Sequence, residues 1–241
     1  MFRDAVPQFT QRNSLLRALP GRVQDRLQPD LVPVQLSCGQ VLYEPGQRID
    51  WIYFPTSSLI SVCRPMKDGA CAEIGVVGND GVVGLSLLLG SDQSDDRAVV
   101  QMPGTALRLA GHMLVEEFWR SSALQRVVLS YTQALLMHIS QRAACNRLHS
   151  VEQRLCRWLL LCLERAQGQD LFVTQEFIAT MLGDRRETIN VAERRLQSVE
   201  LIRHSRGRIS VLNRSGLESL ACECYGALKD GAERSLTAQS N

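Results

Sequence analysis

The side chains best suited to chemistry with a ligand lie between residues 173 and 197, which read VTQEFIATMLGDRRETINVAERRLQ. Two short amphipathic segments flank Gly183. Phe177, Ile178, Met181 and Leu182 share one face of the first, and Ile189, Ala192 and Leu196 share one face of the second. Thr174 is placed to cap the first segment. Asp184 is placed to cap the second, with Glu187 three residues on to complete a capping box. Two short helices joined by a glycine turn are the helix-turn-helix plan, whose second helix enters the major groove of DNA. At ~100° per residue, Glu187, Asn190, Val191 and Arg194 fall roughly opposite Ile189–Leu196, with Arg186 flanking them. That set can read base edges. Arginine grips guanine through two hydrogen bonds, glutamate accepts from a cytosine amino group, asparagine pairs with adenine, and valine touches a thymine methyl.

The next segment supports the same reading. Leu201-Ile202-Arg203-His204 and Arg208-Ile209-Ser210-Val211-Leu212 alternate like strands, joined by Ser205-Arg206-Gly207. A basic hairpin directly after a recognition helix is a wing. Arg203, Arg206 and Arg208 would meet phosphates, which positions a duplex without reading it. Residues 185–214 hold eight arginines against three acids, Glu187, Glu193 and Glu200. The candidate DNA-binding set is Thr174, Gln175, Arg185, Arg186, Glu187, Asn190, Val191, Arg194, Arg206 and Arg208.

The rest of the chain must position these residues. Its length, 241 residues, suits one large domain or two ordinary ones. An apolar fraction of 45% excludes a disordered or collagen-like chain, and a net charge of +2 argues against a globally basic coat protein. No window reads as a membrane span, and the start, MFRDAVPQFTQRN, lacks the apolar stretch of a secretory signal, so a cytoplasmic protein is expected. Residues 13–31 read as short helices. Between 32 and 110, short β-branched runs (VPVQL, QVLYE, WIYF, SLISV, AEIGVV, RAVVQM, ALRLA) alternate with turn signals such as Lys67-Asp68-Gly69. That rhythm predicts an antiparallel sandwich or barrel and disfavours a Rossmann-type enzyme.

From Leu114 to Arg147 glycine and proline are absent and the period is helical. Leu124, Val128, Tyr131 and Leu135 form one stripe; Leu129, Leu136 and Ile139 form a second. A helix apolar on two sides must bury both, one on its own barrel and one on a partner. Leu124, Val128, Tyr131 and Leu135 are taken as the dimerisation stripe. Ser150-Val151-Glu152-Gln153 then opens another helix with a capping box, which Gly168 ends.

The order of these parts resembles the Crp–Fnr family of bacterial transcription regulators, over nearly the whole chain. TQEFIATMLGDRRETI followed by LIRHSRGRISVL carries the closest likeness, with Arg186-Glu187-Thr188 where such regulators place their base-reading Arg and Glu. GQVLYEPGQ, DWIYFPTSSLISV and KDGACAEIGVVGNDGVVGL are similar to the cyclic-nucleotide-binding fold. The resemblance implies an α+β chain: a jelly-roll sensor domain over 1–115, a dimerisation helix over 116–148, a winged helix-turn-helix over 149–228 and a flexible tail over 229–241. It implies a homodimer on palindromic double-stranded DNA, with RNA polymerase as a further partner and a small-molecule effector.

Departures from the family pattern bear on that effector. Gly81-Val82-Val83-Gly84 has valine where cyclic-nucleotide binders carry a ribose-binding Glu, and Arg97-Ala98-Val99 keeps an Arg without its hydroxyl neighbour. Cyclic AMP is therefore not the expected signal, and Gly84 and Arg97 stand as the effector-binding candidates. Val191 occupies a position where an Arg often sits. An iron–sulfur version would need an N-terminal Cys cluster, but residues 1–37 have none; for haem, Cys71 has no His beside it. A redox role for Cys38, Cys63 or Cys71 stays open.

Eight cysteines include no CxxC, and reduced packing thiols are expected. Cys222 and Cys224, read on one helix, would point apart, and the four histidines are scattered. No metal, no cofactor and no catalysis are therefore expected. A cupin-type enzyme would need clustered His ligands on strands, yet no His precedes His112. The alternative to a regulator is a ligand- or partner-binding sensor whose DNA-binding part is vestigial.

Overall fold

The structure, a computed structural model, describes residues 10–67, 71–166 and 170–229. The turn expected at Asp68-Gly69, the helix stop at Gly168 and the tail beyond Lys229 lie outside the described residues. The first helices named among the described residues are α1 (Ser14–Arg17) and α2 (Gly21–Leu27). Asn13 starts α1 because its buried side chain accepts from the Leu15 and Leu16 amides. It also donates to the Pro55 and Gly81 carbonyls at 2.9 Å, which ties the N-terminus to the following domain.

Seven strands follow: β1 (Val32–Leu36), β2 (Val41–Tyr43), β3 (Trp51–Pro55), β4 (Leu59–Pro65), β5 (Cys71–Val77), β6 (Arg97–Met102) and β7 (Gly104–Ala110). All pairings are antiparallel, in sheets ordered β1-β7-β3 and β2-β6-β4-β5. Their inner faces meet over Leu36, Ile52, Phe54, Ile60, Val100, Leu107 and Leu109. The seven β-rich runs of the sequence thus become the two sheets of a jelly-roll, as their alternation and turns imply.

The helical region differs from the reading of one helix over 116–148. It is two helices, α3 (Gly111–Arg120) and α4 (Ser122–Leu148). Ser121 adopts an extended backbone (φ −119°, ψ 105°), and its hydroxyl accepts from the Leu124 amide at 3.3 Å. A serine cap breaks a helix without help from glycine or proline.

The two stripes of α4 also exchange roles. Leu124, Val127 and Val128 are buried in the jelly-roll core of the same chain, and Tyr131 and Leu135 pack against it. The Val82 amide donates to the Tyr131 hydroxyl, and Gly81 makes room, because a methyl there would overlap the ring. The stripe left outside is Leu129, Leu136 and Ile139, at 57%, 55% and 39% exposure. Leu124, Val128, Tyr131 and Leu135 therefore hold α4 to its own domain rather than to a partner. In the single chain, at a dilution where any partner has dissociated, Leu124→Ala is expected to cost about 2–5 kcal/mol and Leu129→Ala little. Chemical denaturation of the two variants separates them, and equal losses would contradict this division of faces.

The C-terminal part holds α5 (Val151–Ala166), β8 (Asp170–Phe172), α6 (Gln175–Leu182), α7 (Arg186–Ser198), β9 (Ile202–Ser205), β10 (Arg208–Val211) and α8 (Arg214–Leu220). Ser150 and Gln153 cap α5 reciprocally, amide to side chain, at 3.3 and 3.0 Å. A second core gathers Leu155, Leu159, Ile178, Ile189, Leu196, Ile209 and Leu217. Leu59 of β4 and Met102 of β6 belong to this core too, so the C-terminal part sits directly on the jelly-roll. Among the described residues no helix is long and apolar enough to cross a membrane.

Candidate nucleic-acid interface

Helices α6 and α7 meet at Gly183, whose backbone is left-handed (φ 65°), a conformation that costs glycine little. Thr174 caps α6 by accepting from the Phe177 amide at 3.2 Å, as its type and place imply. Asp184 does not cap α7. Its carboxylate instead takes Arg154 of α5 at 2.5 Å, and the N-cap residue is Arg185, without a side-chain bond. Arg154 also donates to the Leu182 carbonyl at 2.9 Å. Asp184 is thus used to pin the turn to α5, because a buried guanidinium needs a counter-charge more than a helix start needs a cap.

The apolar face of α7 is buried through Ile189, Ala192 and Leu196. Its opposite face presents Arg186, Glu187, Val191 and Arg194 to the outside, with Asn190 half-buried between them. Val191 is 69% exposed, which for a valine on a helix with a full apolar face marks a contact surface. Arg185 and Arg186 stand at the helix N-terminus, beside its unpaired amides. Anionic groups such as phosphates are favoured there by the helix dipole.

Two of the residues expected at DNA are turned elsewhere. Gln175 donates to Glu193 at 2.6 Å. Glu193 is fully buried on α7 and also lies 3.0 Å from Nδ1 of His204 on β9. This polar link fastens helix, turn and wing together, and it removes one of the three local acids from the surface. A glutamate on the apolar side of a helix, with Gln and His at contacting positions, was the available sequence signal. Arg208 is the second. It is engaged by Asp170, which also accepts from Ser210 at 2.5 Å. Its reach toward a phosphate is therefore shared with β8. Arg203 is exposed on β9, and Arg206 stands at the wing tip with left-handed backbone (φ 50°) beside Gly207.

Two ionic links, one buried and one partly exposed, join the parts of the chain. Glu73 of β5 is fully buried, accepts from Arg142 of α4 at 2.6 Å and from Ser61 at 3.1 Å. Arg142 donates as well to the Met181 carbonyl at the end of α6. Burial pushes the Glu73 carboxyl above its ordinary value, and Arg142 and Ser61 oppose that shift. Asp80 accepts from Arg165 of α5 at 2.7 Å. Burial works against the Asp80 carboxylate, yet Arg165 and the Gly78 amide hold its pKa below the usual range.

These groups, with Tyr131 and His138, line a cavity of about 110 Å³ between β5, α4 and α5. Burial, reinforced by Arg165, lowers the His138 pKa to about 4, so this imidazole is neutral at pH 7. Gly84 and Arg97 do not line the cavity. Arg97 is a surface residue paired with Glu44 at 3.2 Å, and Gly84 is a left-handed turn (φ 98°) against Ile52 and Tyr43.

The thiols also depart from expectation. Cys222 and Cys224 do not share a helix, since Cys222 precedes the turn that opens a helix at residue 224. Both face Cys145 and His149 at the end of α4.

A family model of the Crp-like helix-turn-helix domain matches residues 153–220. Solved regulators share the architecture across the chain. FixK2 from Bradyrhizobium japonicum aligns at TM-score 0.68 and 15% identity, over 80% of this chain and 98% of its own. The CRP-family regulator TTHB099 from Thermus thermophilus aligns at 0.66 and 18%, over 78% and 96%. TTHA1359, a CRP/FNR-family regulator from the same organism, aligns at 0.63 and 21%, over 79% and 98%. A comparison with curated proteins finds no match. The chain therefore carries a Crp-like helix-turn-helix domain at residues 153–220 and shares the fold of solved Crp–Fnr transcription regulators.

Proposed function

We propose that two copies of this chain bind a two-fold symmetric DNA site, with α7 of each in a major groove and α4 of each at the two-fold axis. The observation that carries this reading is the exposed face of α7, Arg186-Glu187-Val191-Arg194, backed by a fully buried opposite face and flanked by a basic wing. Arg186 and Glu187 read bases; Arg185, Arg203 and Arg206 hold phosphates. Each phosphate neutralised releases counterions, so affinity falls steeply with salt. Replacing Arg206 by Ala is expected to weaken binding evenly across sequences and to reduce the slope of log affinity against log salt by about 1 for each phosphate that Arg206 neutralises. Anisotropy titrations on duplexes at several salt concentrations measure the slope; an unchanged slope would remove Arg206 from the interface.

Val191 presents its methyls where an arginine would present donors, which favours thymine at the facing position. With thymine replaced by uracil in the site, wild-type binding is expected to fall, and Val191→Ala binding to be indifferent to that replacement. Equal losses for both proteins would refute the methyl contact.

The dimer seam is the outward stripe Leu129, Leu136 and Ile139, whose seven- and three-residue spacing suits a left-handed helix pair. Signal reception belongs to the cavity between β5, α4 and α5, because its lining residues include both ends of the links from jelly-roll to α4 and α5. A ligand that displaces Arg142 from Glu73 also frees Arg142 from the Met181 carbonyl of α6. The change at α4 is thereby transmitted to the DNA-binding part without any longer route. The chain acts as a regulator, with no chemical step assigned to it.

A further inference from the structure

Four potential ligand groups converge where the end of α4 meets the chain after α8. They are the thiols of Cys145, Cys222 and Cys224 and the imidazole of His149, and their ligand atoms all lie within 4.8 Å of one another. Cys145 and His149 are four residues apart and so share one face of the helix end. Cys222 and Cys224 arrive from the opposite side, Cys222 on the irregular stretch after α8 and Cys224 at the start of the helix that follows. Tyr225 anchors that segment to the DNA-binding part, donating to Glu164 at 2.5 Å and accepting from Arg214 at 3.1 Å.

Two of the distances fit the edges of a tetrahedral zinc site. Around a tetrahedral zinc, with sulfur at ~2.3 Å and nitrogen at ~2.0–2.1 Å, two sulfurs stand ~3.8 Å apart and a sulfur and a nitrogen ~3.6 Å. The Cys145 and Cys222 sulfurs are 3.5 Å apart, and the Cys224 sulfur is 3.6 Å from Nδ1 of His149. The surrounding groups match as well. Nε2 of His149 lies 3.1 Å from a Glu223 carboxylate oxygen, the partner that fixes a ligating imidazole with its other nitrogen toward the metal. Gln141 donates to the Cys224 sulfur at 3.0 Å. Three thiolates and a neutral imidazole around a divalent cation leave one net negative charge, and the buried guanidinium of Arg157 is the neighbouring cation.

We infer that Cys145, His149, Cys222 and Cys224 bind one zinc ion per chain, in a closed tetrahedral site that clasps the end of α4 to the DNA-binding part. Thiolate and imidazole donors select zinc over magnesium or calcium, and four protein ligands leave no open position, which makes the site structural rather than catalytic. The ion spans the only link in sequence between α4 and α5, at Leu148–Ser150. It therefore fixes the angle at which α4 presents the helix-turn-helix. The site is independent of the DNA reading, since it is built from other residues and needs no nucleic acid.

The test uses the full chain, purified with a thiol reductant and without chelator. Elemental analysis is expected to give one zinc per chain, and X-ray absorption at the zinc edge a first shell of three sulfurs and one nitrogen. Replacing zinc with cobalt is expected to give the visible bands of a tetrahedral ion and thiolate charge-transfer absorption. Glu223→Gln keeps all four ligands and is expected to weaken zinc 10–100-fold in competition with a chromogenic chelator, with the fold retained. Cys224→Ser should lose the ion, whereas Cys38→Ser, at an exposed thiol outside the cluster, should keep it. If Cys224→Ser does not fold, the cobalt spectrum and the absorption edge of the wild type still decide. Metal-free protein with all thiols free and no cobalt charge transfer would overturn the proposal. So would a Cys145–Cys222 disulfide found by intact mass, or zinc retained undiminished after Cys224→Ser.

Discussion

Arg186→Ala is expected to lose about 1–3 kcal/mol per half-site on its preferred duplex, or between about 30-fold and 10⁴-fold over two half-sites. Loss on unrelated DNA should be far smaller. Arg186 is the first residue of α7, exposed, and makes no ion pair among the described residues. It can therefore offer both guanidinium edges to a guanine without breaking an internal bond. Removing it should cost the fold almost nothing, so circular dichroism and thermal denaturation serve as controls. Glu187 beside it accepts rather than donates, and its loss should relax preference at one base pair instead of weakening binding overall. A uniform loss on specific and unrelated duplexes alike would demote Arg186 to a phosphate contact.

The paired change Leu129→Glu with Leu136→Glu is expected to turn the dimer into a monomer and to lower affinity for a symmetric site by about 10²–10⁴-fold. That is the gain from joining two half-site contacts in one molecule. Both residues are more than half exposed in the single chain, so the monomer should remain folded. Sedimentation gives the mass and anisotropy the affinity. A dimer that survives this change would place the partner surface elsewhere, with Trp119, at 74% exposure on α3, the next apolar surface to test. Four carboxylates facing one another across two helices would repel, so a surviving contact could not use this stripe.

Much of the fold was legible because its signals are local. The seven strands follow from β-branched alternation between turns, and Thr174, Ser150 and Gly183 perform the capping and turning that their types imply. The outward set on α7 followed from helical period alone. What the sequence could not show depends on tertiary choices. Asp184 is a competent cap, but Arg154, twenty-eight and thirty residues from its two partners, claims it. Arg154 itself is buried and would otherwise be an unpaired charge. Two apolar stripes on α4 were plain, yet nothing in a helical period says which stripe meets the domain of its own chain. Tyr131 decides it, by fitting over Gly81 and taking the Val82 amide. Gln175 illustrates the same limit, since its amide is consumed by a glutamate on another helix.

The cysteines mark the sharpest difference between local and tertiary signals. Spacing of two residues excludes a shared site on a helix, and the inference fails only because the chain bends between Cys222 and Cys224. Cys145 and Cys222 are 77 residues apart in sequence and 3.5 Å apart at sulfur. No spacing rule reaches that far.

The central claim is that α7 reads DNA in two symmetry-related copies. Selection from random duplexes by the purified full chain, read by sequencing, tests it most directly when Arg186→Ala is run in parallel. The wild type is expected to enrich a two-fold symmetric sequence with half-site centres one helical turn apart, ~34 Å, and the variant to lose that enrichment. Enrichment of a single unpaired site, or of the same sequence by both proteins, would contradict the claim.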